Sequence, residues 1–162
     1  MNYCEKYPML RDEDNLYKSI EIDDLLYMLA GFFTGVIYIG GAWDSNCQKI
    51  VPIANDLAKS LNIDIIYNYD PKFINIFKEE ENLIDCKTLE NKLKYYSIIE
   101  KIGYKSDILV KDTLIPKINI PFFIVMKNGT CIGTVSAEND DKINSFEKSF
   151  LDLIKEIGFF SK

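Results

Sequence analysis

The sequence predicts an α/β domain, a three-layer α/β/α arrangement around a mixed central sheet. Three observations carry that reading. Short β-branched apolar runs alternate with stretches of helical periodicity, the pattern of parallel strands joined by crossover helices. Near the C-terminal end, Asn128-Gly129 separates two apolar runs, the strongest short hairpin signal, so the sheet must close antiparallel. The 162 residues, 48% of them apolar and 27% charged, are enough for one domain spanning 1–162 with a sizeable core.

Each element follows in turn. Residues 1–16 are polar and mixed, an irregular or short helical lead-in. Tyr17 to Ile20 reads as a short strand. Glu21 to Phe32 is a helix by the spacing of Ile22, Leu25, Leu26 and Leu29. Gly35 to Ile39 (GVIYI) is a continuous β-branched run, the mark of a strand buried on both faces. Asp44 to Leu61 is a strong helix with an inward stripe of Cys47, Ile50, Val51, Ala54, Leu57, Ala58 and Leu61. Asn62 stands where a left-handed cap belongs. Ile63 to Tyr67 (IDIIY) reads as the next central strand. Asn68 to Lys117 is a long, charged, helical crossover. Its clearest helix runs from Thr88 to Ile102, with Leu89, Leu93, Tyr96 and Ile99 on one side and Gly103 as its stop. Phe122 to Met126 and Cys131 to Ser136 form the hairpin. Ile143 to Ile157 closes the chain as an amphipathic helix with Phe146, Phe150 and Ile154 inward. The order is therefore β-α-β-α-β-α-β-β-α, with right-handed parallel crossovers up to the hairpin.

Composition excludes several kinds of chemistry. The formal net charge is −6, so nucleic-acid binding, which needs a basic patch, is not expected. There is no histidine, which removes the commonest general base, the commonest metal ligand and every Cys-His pairing. Cys4, Cys47, Cys86 and Cys131 are widely separated and form no C-x-x-C, so no metal site and no cofactor are expected. The uncharged stretch from Leu25 to Trp43 approaches the ~20 residues that span a bilayer, but four glycines interrupt it and no cation orients it. It reads instead as a helix end and a strand, broken at Thr34-Gly35. The opening residues lack a basic and apolar leader, and the expected setting is a reducing cytoplasm where the cysteines stay thiols.

One segment bears the chemistry. In YIGGAWDSNCQKIVPIANDLA, Tyr38 to Ala58, a strand, a loop and a helix follow one another, with Trp43 just before the helix, Cys47 on its first turn and Pro52 within it. This resembles the active-site segment of the thioredoxin-like family. That family reads Trp-Cys-x-x-Cys at the turn, with a proline five residues after the second cysteine. Cys47 matches the second cysteine, Pro52 the proline, and Asp44 stands in place of the first cysteine. Downstream, Ile120-Pro121-Phe122-Phe123 and the Lys127-Asn128-Gly129 turn resemble the family's cis-proline and hairpin. The resemblance covers about Tyr17 to Ile157. It implies a thioredoxin-like fold with the 68–117 segment as a helical insertion before the cis-Pro hairpin. That longer crossover is similar to those of thioredoxin-like accessory proteins of low-GC bacteria.

The residues also argue for themselves. A helix N-terminus carries unsatisfied N–H groups and about half a positive charge, which lowers the pKa of a thiol placed there. In the family that place belongs to the attacking cysteine. Here it belongs to Asp44, a favoured N-cap, so an anion is kept without a nucleophile. Cys47 falls on the inward stripe beside that carboxylate, so its pKa is expected to be raised. The resemblance also implies a buried acid six positions before the first cysteine, and Tyr38 stands there. Several readings stay open. Cys47 is either a small core residue or a reactive lone thiol. In the first functional reading, Trp43, Asp44, Ser45, Asn46, Ile120 and Pro121 line a groove that binds an extended peptide or protein partner without dithiol exchange. In the second, Cys47 acts alone as a monothiol oxidoreductase. In a third, Cys4 or Cys86 pairs with Cys47, which requires Cα atoms within about 7 Å.

Overall fold

In the computed structural model, residues 2–71, 89–109 and 114–158 are described. The elements run α1 (Tyr3–Lys6), β1 (Tyr17–Ile20), α2 (Ile22–Ala30), β2 (Gly35–Ile39), α3 (Ser45–Ser60), β3 (Ile66–Tyr69), α4 (Leu89–Ile102), β4 (Phe122–Lys127), β5 (Thr130–Ser136) and α5 (Asp140–Gly158). After the short α1, this is the order the sequence predicts.

The five strands form one mixed sheet in the order β1-β3-β2-β4-β5. β3 lies parallel to both β1 and β2, whereas β4 runs antiparallel to β2 and to β5. Alternation along each strand splits the core in two. Val36 and Tyr38 of β2, with Phe123 and Val125 of β4, face α3, α5 and the N-terminal segment. Ile37 and Ile39, with Phe122, Ile124 and Met126, face α2 and α4. Burial on both faces is why GVIYI and FFIVM read as continuous apolar runs. The stretch tested for a membrane span divides as expected, since α2 ends at Ala30 and β2 begins at Gly35. Among the described residues no helix is long and apolar enough to cross a membrane.

Local chemistry sets the element ends. Asn128 and Gly129 both take positive φ, as the hairpin turn requires. α3 closes through Asn62 at φ 62°, with Asn62 N–H on the Lys59 carbonyl and Ile63 N–H on the Ala58 carbonyl. α4 closes the same way through Gly103, with Tyr104 N–H on the Ile99 carbonyl. Both are Schellman caps.

Two expectations are corrected here. The third strand begins at Ile66, not Ile63, because Ile63 is spent on the α3 cap and its buried side chain serves that corner. The buried face of α4 is Tyr95, Ile98, Ile99 and Ile102, whereas Leu89, Leu93 and Tyr96 are exposed. Two stripes of helical spacing run along this helix, and the Tyr95 hydroxyl decides between them. It donates to the Pro116 carbonyl at 2.7 Å and accepts the Ile118 N–H at 2.8 Å, which pins that face inward. Of the 68–117 crossover, residues 72–88 and 110–113, with Cys86 and the Thr88 helix start, lie outside the described residues.

Candidate functional site

The site sits where the parallel strands end. β2 finishes at Ile39, and Gly40 to Trp43 lead into α3. The register pairs Ile39 with Phe122, so Pro121 lies level with Gly40. The Ile120–Pro121 peptide is cis. The Pro121 carbonyl accepts the Ala137 N–H at 3.1 Å, which brings the end of β5 to the same place.

Asp44 is the N-cap of α3. Its backbone is extended and its Oδ2 accepts the Cys47 N–H at 2.9 Å. The loop before it is tight, with the Asp44 N–H on the Gly41 carbonyl. Ser45 opens the helix at the exposed surface. Asn46 reaches across, its Nδ2 donating to the Glu138 carbonyl at 3.0 Å, and so ties α3 to the loop between β5 and α5. Trp43 is 36% exposed, and its Nε1 donates to Asp70 Oδ1 at 3.0 Å at the end of β3. Ile120 is half-buried and packs against both halves of the core. Trp43, Asp44, Asn46, Ile120 and Pro121 thus gather at one end of the sheet.

Cys47 is on the first turn of α3 yet fully shielded, at 0% exposure. The Tyr38 hydroxyl and the Gly41 backbone act on the sulfur in the direction that favours ionisation. Burial first, and the Asp44 carboxylate second, push the thiol well above its ordinary pKa. Both effects disfavour the thiolate, and the opposing influence of Tyr38 and Gly41 offsets them only in part. Tyr38 is also held by the Tyr7 hydroxyl at 3.1 Å. Its own ionisation is pushed well up, chiefly by burial. Cys4 and Cys131 are half-buried free thiols on other parts of the fold, Cys4 donating to the Asp12 carbonyl and Cys131 to the Gly133 carbonyl. Among the described residues no cluster of three or more Cys, Asp or Glu side chains is arranged to hold a metal.

Several contributors were not singled out in the sequence. Tyr7 arrives from the lead-in, and Gln48 binds the Lys6 and Ala42 carbonyls through its Nε2 at 2.9 and 2.7 Å. Asp70 fixes Trp43. Asn68, buried mid-strand, donates to the Tyr38 and Gly40 carbonyls. The signal for Asn68 was a polar residue inside an apolar strand. For Tyr7 it was the recurrence of tyrosine at 3, 7 and 17 in an otherwise polar lead-in.

The strand order, the antiparallel β4–β5 hairpin led by a cis-proline and the helix that starts beside it define a thioredoxin-like fold. No family model matches the chain, and no curated protein matches it. Solved structures similar to it include thioredoxin from Trypanosoma brucei brucei, at 14% identity and TM-score 0.46, covering 90% of this chain and 98% of that one. Oxidised mitochondrial thioredoxin 3 from Saccharomyces cerevisiae is similar at 13% identity and TM-score 0.43, covering 91% and 99%. A structure from work on the thiol-resolving mechanism of yeast mitochondrial 1-Cys peroxiredoxin is similar at 13% identity and TM-score 0.46, covering 86% and 99%. The chain's own topology carries the fold assignment.

Proposed function

We propose that this chain is a thioredoxin-like protein that has lost the nucleophilic cysteine and binds an extended peptide or protein partner at the former active-site groove. One observation supports the reading above the others: the position where an attacking sulfur would sit holds the Asp44 carboxylate, engaged as a cap, while Cys47 behind it has no exposed surface. Dithiol exchange needs a thiolate at the helix end that can reach a substrate disulfide. An aspartate there supplies charge and no sulfur. What the site keeps is the binding apparatus, a half-exposed tryptophan and the backbone of Ile120 just before β4. An extended segment can pair with that backbone at Ile120, ahead of the strand, through backbone hydrogen bonds, with side-chain contacts giving selectivity.

Two experiments test this. The protein should not turn over insulin disulfides in the presence of dithiothreitol, and turnover comparable to a dithiol thioredoxin overturns the reading. Trp43 is the only tryptophan in the chain. Its emission should therefore change on titration with an extended peptide that binds the groove, and Trp43→Phe should abolish the signal. A peptide panel with no saturable response removes the binding half of the proposal. Asp44→Cys is the constructive counterpart and should create a reducible disulfide between the introduced sulfur and Cys47.

A further inference from the structure

A cavity of about 70 Å³ lies where the parallel strands β1 and β3 end. Open α/β sheets bind their ligands outside such carboxyl ends. Tyr3 and Tyr7 line one side, Ser19 and Glu21 at the end of β1 and Asn68 and Asp70 at the end of β3 line the other, and Ala42 borders it from the site loop. The tyrosine wall is fixed, since both rings are buried in the core and stack with centroids 6.1 Å apart. Asp70 Oδ1 also accepts Trp43 Nε1 at 3.0 Å, so the cavity and the tryptophan of the groove share one carboxylate. The volume limits the occupant. It falls well below the roughly 300–1,000 Å³ of small-molecule sites, which suits the tip of a side chain and not a whole free ligand.

The polar lining is made of acceptors. Asn68 Nδ2 donates to the Tyr38 and Gly40 carbonyls, so its Oδ1 accepts, and the Tyr3 proton goes there at 3.1 Å. Tyr3 has only that one proton. In its 2.6 Å contact with Ser19 the serine therefore donates, and the serine oxygen faces outward as an acceptor. The Glu21 and Asp70 carboxylates can only accept. Burial is the largest cause of the raised pKa of both Tyr3 and Tyr7, and the Asp70 carboxylate adds to it at each, so its negative field reaches that wall. Lys6 is the one cation among the described residues that line the cavity, and it is exposed. The α2 N-terminus begins at the rim, but an acid already serves it, as Asp24 Oδ2 accepts the Glu21 N–H at 3.0 Å. We propose that this cavity receives a Lys or Arg side chain of the partner bound at the groove, its stem along Ile20 and Ala42 and its charged head among Ser19, Glu21 and Asp70. The assignment rests on the groove reading and adds the partner's chemistry to it. Long cationic side chains lay their methylenes on apolar surface and keep the head paired. The net charge of −6 favours encounter with a basic partner.

The test is titration of Trp43 emission in the full-length chain with short peptides of alternating Thr and Val that carry Lys, Arg, Gln or Glu at the centre. The Lys or Arg peptide should bind about tenfold tighter, or more, than the Gln and Glu peptides, as a charge-assisted hydrogen bond allows. Asp70→Asn keeps an oxygen for Trp43 and removes the charge, and Glu21→Gln does the same at the start of α2. Each should cut the preference at least about threefold. Asp152→Asn, on α5 and outside the cavity lining, makes the same change in net charge and should leave the preference intact. Ethylammonium alone should give no saturable response over the same concentrations, and a response as tight as the peptide's overturns the side-chain assignment. Saturable binding that ignores the central residue overturns the cation pocket and leaves the groove reading standing. A preference that survives both Asp70→Asn and Glu21→Gln puts the cation elsewhere and overturns the pocket as well. No saturable response from any of the peptides overturns pocket and groove together.

Discussion

Replacing Asp44 separates its two roles. Asp44→Ala removes the acceptor that binds the Cys47 N–H at 2.9 Å. It leaves one of the four N-terminal N–H groups of α3 without its side-chain partner. The loss expected for such a cap is about 1 kcal/mol, within a range of roughly 0.5–2. For a chain of this size that corresponds to a Tm lower by about 2–4 °C. Asp44→Asn keeps an oxygen in the same place and gives up only the charge at the positive helix end, worth about 0.3–1 kcal/mol. Asn should therefore be milder than Ala. The assay is urea unfolding followed by far-UV circular dichroism, because Trp43 adjoins the mutated residue and its fluorescence would report local change. Both variants remove the second-largest cause of the raised Cys47 pKa. Both should therefore shift the pH profile of Cys47 alkylation to lower pH, Asn as much as Ala. Equal destabilisation by Ala and Asn would refute the capping argument, and an unmoved Cys47 profile would refute the electrostatic one.

Further outcomes follow from the same geometry. The Cys47 thiol is pushed up in the folded state, so the unfolded chain releases its proton first, near pH ~8.5, and stability must fall as pH rises above that point. The slope from this group is about 1.4 kcal/mol per pH unit until the folded thiol also ionises, and Cys47→Ala should flatten it in urea melts between pH 8 and 10. Gly40→Ala places a Cβ 2.6 Å from Tyr38 Oη and 2.7 Å from Cys47 Sγ, both buried, so overpacking should lower stability by about 1–3 kcal/mol in the same melts. Gly129→Ala meets the Gly31 carbonyl oxygen at 2.5 Å with φ at 80°. Strain and overlap together should lower stability by about 2–4 kcal/mol, and a Gly129→Ala protein as stable as the parent would mean the hairpin turn does not lie against the Gly31-Phe32 backbone.

Strands and helices were legible wherever one periodicity stood alone. β2 and β4 were continuous apolar runs because both faces are covered, and Asn128-Gly129 announced the reversal between β4 and β5. The α3 N-terminus was legible because Asp44 is a good cap and Cys47 falls on the inward stripe. Other features depend on partners distant in sequence. Ile63 looks like a strand residue until its N–H is claimed by the Ala58 carbonyl. The orientation of α4 hung on Tyr95 reaching Pro116 and Ile118, which no local pattern displays. The lead-in reads only as irregular or a short helix because its tyrosines are ordered by what they touch, namely Ser19, Asn68 and Tyr38, and not by any repeat of their own.

The two departures from the family pattern are consistent as a pair. The resemblance places an acid at the position of Tyr38 and a sulfur at the position of Asp44. Keeping a buried acid costs free energy unless it is partnered, and its use is to take a proton from the chemistry above it. Without an attacking sulfur that use disappears. A tyrosine fills the same space, bonds the Tyr7 hydroxyl, and stacks on Phe123 with ring centroids 4.9 Å apart. The acid at the helix end, by contrast, sits where the backbone N–H groups favour it. Restoring the sulfur alone, in Asp44→Cys, should therefore give a disulfide that forms but exchanges slowly, because no buried acid remains to assist proton transfer. Adding Tyr38→Asp should quicken that exchange while lowering stability, since it deletes an aromatic contact and buries a charge. A double variant no faster than the single one would break the link between these two positions.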